Sequence, residues 1–239
     1  MNASNVAQDL KKVSNKKKAI STARYFKTGK GEYGEGDIFI GVTVPDGRII
    51  AKKYALLPLK ELVTLLKSPI HEHRSTALNI LCLQYRDKTK QEKIFDLYMS
   101  HTRYINNWDL VDSSARDIVG HYIYEYMSGT ERHRFLKKYA ASDLLWERRI
   151  AVIATAYGIS KGKYEEICML TKMLIKDKQD LIHKAVGWML REMGKKNEEG
   201  GRQLRALLDR LAPTLPRTSL RYSLERFSKN EREKYMHMK

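Results

Sequence analysis

Cysteine, proline and acidic side chains are all scarce in this chain, and no long apolar run interrupts it. Two cysteines, Cys82 and Cys168, cannot build a disulfide framework and lack the paired spacing of a zinc site. Both stand in apolar helical contexts and are expected to be buried thiols. The seven histidines are scattered without HExxH or similar spacing, so no metal site and no cofactor is expected. No stretch approaches the roughly 18 apolar residues of a membrane-spanning helix, which removes the bilayer as a partner. The opening MNASNVAQDLKKVSNKKKA has no apolar core of a secretory signal, so a cytoplasmic protein is expected. Acidic residues number 28 against 45 Lys plus Arg, leaving a formal charge of +17. Such an excess points to a polyanionic partner, with nucleic acid first.

Apolar residues make up 42% of the 239 positions, enough to bury a core. With only five prolines, amphipathic segments follow one another between short polar breaks, the pattern of a helical protein. Helical periodicity covers 51–66, 72–85, 90–101, 114–127, 132–139, 147–157, 164–175, 181–193 and 201–211. The segment Asp37–Val44 is β-branched and strand-like by propensity, but it has no evident partner strand and is expected to be an extended connector. HEHRSTALNIL, LVDSSARDIVG, WERRIAVIATA, IHKAVGWMLRE and LPRTSLRYSLE align on their first turns. This sets Arg74, Asp112, Arg149, Lys184 and Arg217 in equivalent places, about 33 to 38 residues apart, as in helix-pair repeats. The expectation is an all-α HEAT-like repeat solenoid, an α-α superhelix with a concave basic groove. It forms a single domain over 1–239, with an N-terminal helical region and connector in 1–50 and stacked helix pairs in 51–239.

A charge run is usually a solvated helix face. Arg148, Arg149, Lys184, Arg191, Arg217 and Arg221 nevertheless recur on the helices expected to line the groove, where helix N-termini add partial positive charge for phosphate oxygens. Backbone contact largely independent of base sequence is the mode this implies. In NNWDLVDSSA, Trp108 and Asp112 are four residues apart and share a face if Asp112 lies in a helix. In AVGWMLREMG, Trp188 and Arg191 are three apart. A helical Trp is more often core, and Asp112 ahead of Ser113 and Ser114 also reads as an N-cap. Trp146 is assigned to the core.

ARYFK around Tyr25, FIGVTVPDGR at 39–48, NWDLVDSSA ending at Ala115, LLWERRIAV at 144–152 and IHKAVGWMLRE at 182–192 together resemble the HEAT-like-repeat DNA alkylation-repair family, the alkylpurine DNA glycosylases. The resemblance spans nearly the whole chain, in the family's order and separation. It implies a cleft in which Trp108 and Trp188 flank the lesion nucleotide and Tyr25 completes the aromatic wall. Asp112 would sit by the glycosidic bond, and Arg149 and Arg191 would hold phosphates. It further implies a monomer acting on duplex DNA, hence associated with the nucleoid, that excises 3-methyladenine or 7-methylguanine without drawing the base into a pocket. The chain departs from the family pattern at 179–183, ahead of Trp188, and in the Gly-rich insert at 29–36.

Those residue types suit the chemistry. A purine alkylated at N3 or N7 is cationic, so its glycosidic bond is weakened without an acid, and one carboxylate suffices to stabilise an oxocarbenium-like transition state and orient water. Aromatic contact favours the cationic nucleotide by about 0.5 to 2 kcal/mol per ring. No Lys stands beside Asp112 in these motifs, so a Schiff-base lyase step is not expected. Two other readings remain: a non-catalytic relative that binds branched or damaged DNA, and a HEAT-like scaffold for protein or RNA.

Overall fold

The computed structural model describes residues 1–238, which are mostly helical, with a long non-helical stretch at 26–43. The only β pairing among them is an isolated parallel bridge between Ile38 and Ile70. The chain divides into two compact units, Met1–Ser114 and Ala115–Lys239. Among the described residues no helix is long and apolar enough to cross a membrane.

The first unit contains α1 (Ala3–Lys12), α2 (Lys16–Tyr25), α3 (Val44–Lys53), α4 (Leu59–Leu66), α5 (His71–Gln84), α6 (Gln91–Ser100) and α7 (Trp108–Asp112). Asn2 and Asn5 close a reciprocal cap on α1, and Val6 and Leu10 are fully buried where α1 meets α3, α4 and α5. In contrast, α2 buries none of its residues. It is held instead through the backbone: the Asn15 amide donates to the Ile40 carbonyl at 3.0 Å, and Gly41, at φ 80°, lies directly against Asn15 and Ala19. Only a residue without a β-carbon fits so close an approach at positive φ.

The segment 51–66, expected as one helix, is broken. α3 ends at Lys53 and α4 starts after Pro58, because proline offers no N–H and disfavours helical geometry in the residue before it. The connector is extended as expected up to Thr43, but Val44 already opens α3, with Thr43 as N-cap accepting from the Asp46 amide at 3.3 Å. Its extended part is fixed by Glu72 of α5, whose buried carboxylate accepts from the consecutive amides of Ile40, Gly41 and Val42 at 3.1, 2.7 and 3.2 Å. A hydrogen bond to a charged group contributes about 1.5–3 kcal/mol net.

The second unit begins with a π-helical turn, Arg116–Gly120, in a segment expected to be plainly α-helical; the Gly120 amide reaches back to the Ala115 carbonyl at 2.8 Å. Then come α8 (His121–Glu125), α9 (Gly129–Ala140), α10 (Leu145–Ser160), α11 (Glu165–Met173), α12 (Asp180–Lys196), α13 (Glu198–Leu211), α14 (Arg217–Ser223) and α15 (Lys229–His237). α10 is the central element. Ile150, Ala151, Val152, Ile153 and Ala154 are buried in succession, the signature of a helix enclosed on all sides. It packs on α9, α11 and α12, and α12 in turn packs on α13 and α14. The contact between α12 and α14 is tight at Gly187, where a β-carbon would come within 2.6 Å of the Ser219 carbonyl oxygen and of the Tyr222 β-carbon.

Three smaller expectations change. Cys82 and Cys168 are half-buried, not buried, and Trp146 is half-buried at the second position of α10 rather than in the core. Arg217 is the first residue of α14 and Arg74 the fourth of α5, whereas Asp112, Arg149 and Lys184 are each fifth in their helices, so the alignment on first turns is displaced by one position at its first member and by four at its last.

Candidate functional site

α7 is short and would not persist alone, so its placement depends on what grips its ends. At its start, the side chain of Asn107 is fully buried; its Oδ1 accepts from the Trp108 amide at 2.8 Å and its Nδ2 donates to Asp37 at 3.2 Å. At its far end, Ser114 donates to the Leu110 carbonyl at 2.6 Å and pairs with the hydroxyl of the fully buried Tyr98 at 2.9 Å. Burial pushes the Tyr98 phenol up, and the charge of the nearby Asp112 carboxylate acts in the same direction. Asp112 is thus the last residue of α7 and not a helix N-cap; Asn107 has that role. Trp108 and Asp112, one turn apart, share a face of α7 and are both half-buried.

Around Trp108 the structure assembles an aromatic ladder. Phe26 stacks on Trp108 with centroids 5.0 Å apart and planes 12° from parallel, and Phe39 stacks on Phe26 at 5.0 Å. His71 stacks on Phe39 at 4.4 Å. Tyr25 meets the edge of Trp108 at 6.0 Å and is 66% exposed, so the ladder ends at solvent. Tyr25 and Trp108 are the members that the sequence singles out. Phe26 and Phe39 sit in the same matched motifs, but neighbouring aromatics there carry no periodicity signal.

Beneath the ladder lies a charge cluster that the sequence does not reveal. Asp37, in the connector, accepts from His71 Nδ1 at 3.0 Å, Arg74 Nη2 at 2.6 Å, Asn107 Nδ2 at 3.2 Å and Asn106 Nδ2 at 3.4 Å. His71 Nε2 bonds Asp109 at 2.8 Å. Burial raises the Asp37 carboxyl, but the His71 hydrogen bond and the Arg74 charge outweigh it and hold it below the usual carboxylate range. Burial lowers His71, and the hydrogen bonds to Asp109 and Asp37 more than offset this, leaving it above the usual imidazole range. Arg74, expected as a charge lining the groove, is buried in this cluster and also donates to the Ser68 carbonyl at 2.8 Å.

The expected phosphate ligands of the second unit are engaged within it. Arg148 pairs with Asp177 at 2.7 Å and donates to the Ser142 carbonyl at 2.9 Å. Arg149 is 5% exposed and donates to the Leu181 carbonyl at 2.6 Å. Lys184 pairs with Asp180 at 2.8 Å, Arg191 with Glu192 and Glu225, and the exposed Arg217 donates to the Met236 carbonyl at 2.8 Å. Trp188 is half-buried on α12, one turn before Arg191. By contrast, Lys16, Lys17, Lys18, Arg24, Lys27 and Lys30, on and just after α2, are exposed and form no ion pair among the described residues. Among the described residues no cluster of three or more His, Cys, Asp or Glu could hold a metal ion.

The family of DNA alkylation repair enzymes matches residues 6–227. A solved structure described as a predicted DNA alkylation repair enzyme from Enterococcus faecalis superposes with a TM-score of 0.68 at 17% identity, covering 90% of this chain and 97% of that one. At that identity the likeness carries the all-α fold. No curated protein sequence matches the chain at significance. A match over nearly the whole length decides the family: the chain belongs to the DNA alkylation repair enzymes.

Proposed function

We propose that this protein is a monofunctional DNA glycosylase that excises cationic N3- and N7-alkylated purines, 3-methyladenine and 7-methylguanine, from duplex DNA by hydrolysing the N-glycosidic bond without flipping the base. The observation that carries the reading is α7: a half-buried Trp, backed by a stacked Phe and edged by an exposed Tyr, shares one helix face with a half-buried carboxylate. Phe26 fixes the plane of Trp108, so the ring offers a preorganised surface to a cationic nucleotide.

In the reaction the C1′–N bond breaks and its electron pair passes to the purine, cancelling the positive charge the alkyl group had placed there. The base departs neutral and needs no acid. Positive charge moves to the sugar, where Asp112 stabilises it across space and orients water toward C1′. Water adds its hydroxyl to C1′ and releases a proton, which Asp112 accepts or passes to solvent, leaving an abasic site. Trp188 keeps the lesion role, and Arg149 and Arg191 the phosphate roles, that the family resemblance gives them; Arg148, Lys184 and Arg217 keep the groove-lining role that the repeat pattern gives them. Most of these cations already have an internal partner, so the unpaired ones of α2 add to phosphate attraction.

Single-turnover release from duplexes carrying 7-methylguanine or the neutral lesion uracil tests the reading. Release of 7-methylguanine alone is expected. Equal release of both contradicts cation recognition, and tight binding without release of either base favours a non-catalytic DNA-binding relative.

A further inference from the structure

We propose that His71 is a positioning residue for excision: clamped as an imidazolium between Asp37 and Asp109, it sets the rotation of α7 and with it the placement of Trp108 and Asp112. The proposal rests on α7 as the excision element.

The geometry of the two hydrogen bonds requires the charged ring. Both imidazole nitrogens face carboxylate oxygens, Nδ1 toward Asp37 at 3.0 Å and Nε2 toward Asp109 at 2.8 Å, and ionised carboxylates only accept. A neutral ring has one N–H and would turn a lone pair against the other carboxylate. The site also favours the cation on its faces, since Phe39 stacks on the ring at 4.4 Å and Phe26 lies tilted against it at 5.2 Å. The charged groups set against His71 are Asp37 from the connector, Asp109 from α7 and Arg74 from α5, two of each sign when His71 itself is counted.

The two carboxylates depend on His71 unequally. Asp37 has Arg74, Asn106 and Asn107 as further donors. Asp109 has His71 as its only hydrogen-bond donor among the described residues, and its second oxygen is buried without a partner. Because Asp109 directly follows Trp108, this bond ties the residue next to the ring to the first residue of α5. Loss of one proton from His71 therefore loosens the clamp either way. With the N–H kept on Nδ1, Asp109 has no donor; with it kept on Nε2, the ring is repelled by Asp37. The His71–Phe39–Phe26–Trp108 ladder carries the same disturbance to the face of Trp108.

The test uses full-length protein. Nitrogen-15 NMR of labelled histidine in the wild type should show both His71 ring nitrogens protonated at neutral pH, with a midpoint above the ordinary imidazole range that Asp109→Asn lowers. In a Trp146→Phe, Trp188→Phe background, Trp108 emission should shift as His71 titrates, and His71→Gln should abolish that shift. The ratio of wild-type to His71→Gln excision rates, in which titration of the substrate cancels, should be about 10- to 100-fold at neutral pH, the loss expected from a small misplacement of reacting groups. It should fall toward unity as pH rises through the His71 midpoint. A neutral single tautomer at neutral pH, or Trp108 emission indifferent to His71 titration, overturns the proposal; both are read on protein with His71 intact, so a variant that fails to fold leaves the test standing. A wild type that binds DNA and releases no base would defeat the glycosylase reading while the NMR and emission results still decide the clamp.

Discussion

Replacing Gly41 by alanine separates two forces that the structure loads onto one residue. Gly41 has φ of 80°, and an added β-carbon would overlap the Asn15 carbonyl oxygen and come within 2.6 Å of the Ala19 amide nitrogen. Both obstacles are backbone atoms of the start of α2, so α2 must move as a body. Left-handed backbone costs alanine about 1–2 kcal/mol, and forcing an extra carbon into a packed contact about 1–3 kcal/mol. The total, about 2–5 kcal/mol, is a large share of an ordinary domain stability of roughly 5–15 kcal/mol. Gly31 is the control: its φ is 79°, but a β-carbon there has no neighbour within 4 Å. Gly31→Ala should cost only the backbone share. Because Tyr25 and Phe26 stand at the end of α2 and contact Trp108, Gly41→Ala alone should also shift the emission of Trp108 in the Trp146→Phe, Trp188→Phe background. Urea denaturation and emission spectra of the two variants decide. Equal destabilisation by both, or unchanged Trp108 emission in Gly41→Ala, refutes the claim that this contact seats α2 on the site.

Stability should depend on pH from both sides. Asp37, depressed in the folded state, contributes above the unfolded carboxylate range and loses that contribution as pH falls through its folded value; His71, raised in the folded state, contributes below the ordinary imidazole range and loses it as pH rises through its folded value. Urea midpoints should therefore form a plateau that falls at acid and alkaline ends, with Asp37→Asn costing about 3–5 kcal/mol within it by leaving buried cations uncompensated. A monotonic profile contradicts this. Replacing Lys16, Lys17 and Lys18 together by glutamine should weaken binding to undamaged duplex and reduce the slope of log affinity against log salt by about 0.9 for each phosphate no longer neutralised, close to 3 if all three lysines meet phosphates. An unchanged slope would remove α2 from the DNA-binding surface.

The helical character of the chain is legible because it rests on spacing: the buried Ile182, Ala185, Val186, Met189, Leu190 and Met193 of α12 recur at helical intervals as apolar letters in the sequence. Breaks are less legible, since Pro58 has to be weighed against apolar periodicity running past it on both sides, and the proline prevails. Within the site, Trp108 and Asp112 stand out through their spacing on one short helix. The Asp37, His71 and Asp109 cluster does not, because its members come from a connector and two helices, and only the fold brings residues 34 and 38 positions apart within hydrogen-bond reach. Burial likewise redirects Arg74, whose place in the repeat suggests a groove charge but whose partner, Asp37, lies 37 residues away.

In the proposed reading, excision depends on Asp112. Release of free 7-methylguanine from a modified duplex, compared between wild type and Asp112→Asn at equal DNA occupancy, measures its part most directly. Release by the wild type should fall by about 100-fold or more in the variant, the scale of losing a group that stabilises charge only in the transition state. Equal rates at equal occupancy would remove Asp112 from the chemistry.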